Sequence, residues 1–111
     1  MLTDLKYLQQ MTGNDRDMMK EMITLFLHQL AEMRVDVDFL MESQNWMDLS
    51  RLAHKIKSSS LVMGVEQMAR DMKELELLAK EGKDTETYPD YIERLNTMIE
   101  IIGIELRPYL E

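Results

Sequence analysis

Hydrophobic positions along the chain recur at alternating steps of three and four, the spacing that lines one face of an α-helix, and no segment alternates at the period of two expected of a strand. The longest stripe is Met19, Ile23, Phe26, Leu30, Met33, Val37 and Leu40. At ~3.6 residues per turn it spans about six turns and predicts a helix over residues 14–43. Asn14 suits the N-cap, and Asp15 and Asp17 place negative charge at the positive end of the helix dipole. The next stripe, Trp46, Leu49, Ala53, Ile56, Ser60 and Met63, starts after Asn45, a capping residue, with Asp48 at the third helical position. Gly64 suits the left-handed residue that ends such a helix. Val65, Met68, Met72, Leu75 and Ala79 continue as a further helix closed by Gly82. Residues 83–88 read as a polar linker and as the one flexible loop. Pro89 fits a first helical turn, where its missing N–H has no partner to lose. Ile92, Leu95, Ile99, Ile102 and Leu106 form the last stripe, and Leu2, Leu5 and Leu8 a short N-terminal helix.

Four long amphipathic helices joined by short turns imply an all-α fold, an antiparallel up-down four-helix bundle with the N-terminal helix capping one end. A length of 111 residues suits one domain over 1–111, able to bury its own core. Twelve methionines are many for this length, but most fall on the stripes, so they read as adaptable core filler rather than a binding groove. No apolar face is left over to demand a dimer, and a monomer is expected.

Charge narrows the classes of partner. The net charge of -8 disfavours nucleic acid and anionic membrane surfaces. No stretch approaches the ~20 apolar residues of a membrane span, the N-terminus carries Asp4 and Lys6 where a signal peptide needs an apolar core, and there are no cysteines, so a cytoplasmic location is expected. The charge is unevenly spread. Residues 44–64 hold Asp48 against Arg51, Lys55 and Lys57, a net +2, which leaves -10 on the remainder. A basic island on an acidic body favours a partner whose own site is acidic or phosphorylated.

Within that island lies His54. Stepping ~100° per residue places it roughly 130° from the centre of its helix's apolar stripe, facing solvent. Its neighbours three and four positions away are Ser50, Arg51, Lys57 and Ser58. An imidazole in water is largely neutral at cellular pH, so one ring nitrogen keeps a lone pair that can attack phosphorus. Phosphoryl transfer spreads charge over three equatorial oxygens, which Lys57 is placed to meet, while small serines at 50 and 58 leave the ring accessible. Position and charge alone also fit an ordinary surface histidine.

The residues Ala53, His54, Lys57, Ser58 and Gly64 resemble the signature of the histidine-containing phosphotransfer (HPt) domain family of two-component phosphorelays. That signature is Ala-His, two residues, lysine, a small residue, and a glycine ten positions after the histidine. The resemblance extends to the whole acidic, all-helical chain, with Ser58 standing where glycine is common. It implies that His54 accepts phosphate from a receiver-domain aspartate and returns it to another, with Lys57 and Ser58 stabilising the phosphoryl group. Ser50, Arg51, Lys55, Leu61 and Gly64 would contribute to docking. The implied partners are response-regulator receivers and a hybrid sensor histidine kinase. The implied protein has no kinase activity and no cofactor of its own, Mg²⁺ coming from the receiver.

The rival reading is a non-catalytic helical adaptor that binds receivers or partner helices without being phosphorylated. A di-metal bundle is excluded because neither histidine has glutamate three residues before it. A serine hydrolase lacks its glycine elbow, and Ser60 on the core stripe reads as a packing residue bonded to backbone. His28 reads as plain surface.

Overall fold

Each of the four long stripes folds as a helix, and the first three end where a left-handed residue, Gln44, Gly64 or Gly82, turns the chain. The computed structural model describes residues 1–111. Helix α1 spans Lys6–Thr12, α2 Arg16–Glu42, α3 Trp46–Val62, α4 Glu66–Glu81 and α5 Tyr88–Leu106, with 3₁₀ segments at Thr85–Thr87 and Arg107–Leu110 and no strand. Helices α2 to α5 form the bundle, the whole chain measures 43 × 21 × 20 Å, and α3 and α4 are the most closely packed pair. The expected stripes supply the core: Ile23, Leu30, Leu49, Ile56, Met68, Met72, Leu75, Leu95 and Ile102 are essentially sealed from solvent, and Leu5 and Leu8 of the N-terminal region join them. Five methionines are buried and three more pack against the core, as filler. No helix is long and apolar enough to cross a membrane.

The start of α2 differs from expectation. Its N-cap is Asp15, whose carboxylate accepts the Met18 N–H at 3.1 Å. Asn14 instead lies in the left-handed region at φ 61° and donates its N–H to the Gln9 carbonyl at 2.9 Å, closing α1. Asparagine tolerates that conformation better than most residues, so the turn claims it and the cap falls to its neighbour.

The turn between α3 and α4 depends on Gly64. Its φ is +66°, its N–H donates to the Leu61 carbonyl, and the Val65 N–H reaches back to Ser60, a Schellman closure. The N-terminal segment then lies directly on it: the Asp4 N–H donates to the Met63 carbonyl at 3.0 Å, and a Cβ at position 64 would overlap the Asp4 carbonyl oxygen and sit 2.7 Å from its Cβ. The same segment is tied to α5, where the Glu105 carboxylate accepts the N–H groups of Leu2 and Thr3, at 2.9 and 3.0 Å, and the Thr3 hydroxyl. Burial pushes the Glu105 carboxyl up, but these hydrogen bonds outweigh it and hold the group below its usual range.

The expected flexible loop is pinned. Tyr88 is fully buried, its ring meets Trp46 edge-on at 5.1 Å, and its hydroxyl donates to the Lys83 carbonyl at 2.7 Å. Burial first, then Asp84 and Glu86, push that hydroxyl above its ordinary range and keep it a donor. Polarity suggested a mobile linker because the one residue that anchors it stands at its far end.

Two outcomes follow for stability. Gly64→Ala should lower the unfolding free energy by roughly 2–3 kcal/mol in chemical denaturation, because a left-handed alanine alone costs about 1–2 kcal/mol and the Asp4 overlap adds to it. Gly82→Ala, with only Trp46 Cδ1 at 3.7 Å, should cost the backbone share alone; equal losses would contradict the close approach at Gly64. Glu105 has a lowered folded value, so its contribution is complete above its ordinary 4.5 and fades as pH falls through the lowered value. The stability gap between wild type and Glu105→Gln should therefore be widest near neutrality and close in acid; a gap independent of pH would rule this out.

Candidate functional site

Helix α3 is divided by its own sequence. Leu49, Ala53, Ile56 and Ser60 face the core, with the Ser60 hydroxyl donating to the Ile56 carbonyl at 2.6 Å. Met47, Arg51, His54, Lys55, Ser58 and Leu61 lie exposed on the other side. The His54 side chain is 55% exposed, so the imidazole stands out from the middle of a long rigid helix.

A residue of α4 meets it there. Glu76 Oε2 lies 3.0 Å from His54 Nδ1, and Oε1 lies 3.7 Å from Lys57 Nζ. The Lys57 and Glu76 side chains are each only 23% exposed, which keeps this cluster better ordered than a free surface pair. Sequence reading missed Glu76, although a signal existed. An antiparallel hairpin turning at Gly64 brings position 54 opposite positions about ten residues beyond the turn.

One docking residue is corrected. Ser50 is buried, not exposed: it faces α4, and its hydroxyl donates to the Glu76 carbonyl at 2.8 Å, so its small size serves the close packing of α3 on α4. Gly64 is half-buried with its open side covered by Asp4, in the turn beyond the end of α3 and more than two helical turns along from His54. Leu61 is exposed. Ser58 is exposed and its hydroxyl donates to the His54 carbonyl at 3.2 Å, leaving a compact side chain one turn from the ring.

The basic island also looks different in three dimensions. Arg51 pairs with Asp48 at 2.9 Å and Lys57 lies against Glu76, whereas Lys55 has no carboxylate partner. Across a shallow groove from His54, Lys55 and Ser58 stand Glu32 and Asp36 of α2. Next along that groove is Phe39, 67% exposed, beside Arg51 and Lys55. The surface is thus striped in charge, with an apolar side chain at either end, Phe39 and Leu61. Phe39 escaped the sequence reading because it lies off its helix's apolar stripe, where nothing local marks it. His28 is exposed and pairs with Glu32 one turn away at 2.7 Å. No group of three or more histidine and carboxylate side chains is placed to hold a metal ion.

What the site offers chemically is an accessible imidazole, a carboxylate on one ring nitrogen and an ammonium on the adjacent turn. That combination suits nucleophilic attack on an electrophile carrying negative charge. The family model described as Hpt domain matches residues 21–103, a span that includes His54, Lys57, Gly64 and Glu76. No curated protein and no solved structure matches the chain. Hpt domains are phosphotransfer modules of two-component phosphorelays, not kinases. With three quarters of its length matched and the bundle in place, the chain belongs to the Hpt domain family.

Proposed function

We propose that this chain is a phosphorelay intermediate in which His54 accepts a phosphoryl group from a receiver-domain aspartate and passes it to another. The observation that carries the reading is the exposed imidazole in the middle of α3, flanked by Lys57, inside the segment matched by the family. A ring nitrogen of neutral His54 attacks phosphorus as the P–O bond to the aspartyl carboxylate breaks, and the electron pair returns to that carboxylate. The reverse step reloads a second receiver. Lys57, three residues along the helix and so ~5–6 Å away between Cβ atoms, meets the charge that develops on the equatorial oxygens. Ser58 stays small enough for the donor to approach. The receiver brings Mg²⁺ and its acidic pocket, and this chain brings neither kinase chemistry nor a cofactor.

Docking falls to the exposed groups around the ring: Arg51, Lys55 and Leu61 on α3, joined by Phe39 on α2. The functional unit is the whole of residues 1–111, since Leu5 and Leu8, outside the matched segment, belong to the same core.

Incubation with a phosphorylated receiver should yield acid-labile, base-stable phosphate on the chain, lost in His54→Gln without loss of helicity or stability, since the replaced side chain is exposed. Lys57→Ala should keep the label but slow transfer by on the order of tenfold or more. Absence of label on the wild type, or its persistence in His54→Gln, would overturn the transfer reading in favour of an adaptor that only binds.

A further inference from the structure

Helix α2 carries a second repeat on the side turned away from the core. Met18, Glu21, Leu25, His28, Glu32, Val35 and Phe39 step by three and four in strict alternation, and all seven are exposed. That spacing is the seam of a two-helix coil, with 18, 25, 32 and 39 at one seam position and 21, 28 and 35 at the other. No element of the chain covers it: the four apolar members are 47% to 67% exposed, on a helix of 27 residues. Three of the seven are polar, so in the sequence the stripe reads as a solvated face and a monomer is expected. The stripe is also self-complementary. A two-fold axis beside position 30 sets Leu25 against Val35 of an antiparallel second copy and His28 against its Glu32, each pair occurring twice. Gln29 and Ala31 flank that axis, so no like charges face each other at the centre. Apolar meets apolar and acid meets base in one and the same register.

We propose that the outer face of α2 is a self-association surface, on which a second copy of this chain packs antiparallel across a two-fold axis beside position 30. Within one chain His28 Nε2 lies 2.7 Å from Glu32 Oε1, which leaves Nδ1 and Oε2 for a partner. An imidazolium has two N–H donors and can hold both its own Glu32 and the partner's, whereas a neutral ring can donate to only one. On α2 the charged side chain within one turn of His28 is Glu32, and no other element packs over the ring. Across the seam the ring faces Glu32 of the second copy, with Asp36 one turn beyond. Association therefore takes up protons, and it weakens as pH rises through the ordinary histidine value of ~6.5. Phe39 also belongs to the docking surface given to the receiver, so a second copy and a receiver exclude one another. That consequence alone rests on the phosphotransfer reading.

Sedimentation equilibrium on the chain, from micromolar to millimolar concentration, tests the association. A reversible monomer–dimer equilibrium is expected, tighter at pH ~6 than at pH ~8, and His28→Gln should lose most of that dependence. Leu25→Glu and, separately, His28→Glu should weaken the dimer on the order of tenfold or more, and both side chains are exposed, so helicity should be unchanged. Combining His28→Glu with Glu32→His renews the pairing across the axis and should restore the dimer. The chain has no cysteine, so a short bismaleimide reads the register: Leu25→Cys mixed with Val35→Cys should cross-link far more than either variant alone. A monomer at every concentration, a dimer indifferent to Leu25→Glu, a pH dependence unchanged in His28→Gln, or either cysteine variant cross-linking with itself as readily as with the other would each overturn the proposal. The dimer should persist in His54→Gln, which keeps this result separate from the fate of the phosphotransfer reading.

Discussion

The antiparallel packing of α3 on α4 is the constraint on which the rest depends. A single left-handed glycine sets the turn, and the segment laid across that glycine prevents anything larger from taking its place. Once the turn is fixed, the register of the two helices is fixed with it, and the register decides that Glu76 rather than a neighbour one turn away meets the imidazole. The small side chain of Ser50 allows the approach, and its hydrogen bond to the α4 backbone keeps it. The geometry of the surface cluster therefore derives from close packing beneath it. The N-terminal segment belongs to this arrangement, because Glu105 and Met63 hold it against two different parts of the bundle.

Much of this architecture was legible in the sequence, and the reason is local. A three-and-four apolar repeat, a capping Asn45, and glycines at 64 and 82 each act over a few residues, so helix number, helix ends and the exposed side of α3 could be read directly. Errors arose where two local solutions competed or where the answer came from another element. Asn14 was able to serve as cap or as turn, and the left-handed turn took it because Asp15 was available as an alternative cap. The segment at 83–88 looked mobile because its anchor is Tyr88, an aromatic whose burial depends on Trp46 some forty residues earlier.

The site divides in the same way. His54, Lys57 and Ser58 share one helix, and their mutual placement needed only helical spacing. Ser50 shows the limit of that method, since an angle measured around one helix does not reveal which neighbour covers its flank. Charge shows it again. The stretch that is basic in one dimension is interleaved in space with Glu32 and Asp36 from α2 and Glu76 from α4, leaving Lys55 as its unpaired cation. Linear charge counts describe long-range attraction, whereas docking is decided by the striped surface that the fold assembles.

The central claim is that one imidazole, fixed by that packing, carries phosphate. Intact-protein and fragment-ion mass spectrometry, on chain exposed to a phosphorylated receiver and kept out of acid throughout, addresses it most directly. The account predicts a single added phosphoryl group mapping to His54; phosphate mapping to His28 or to a serine, or none at all, would contradict it.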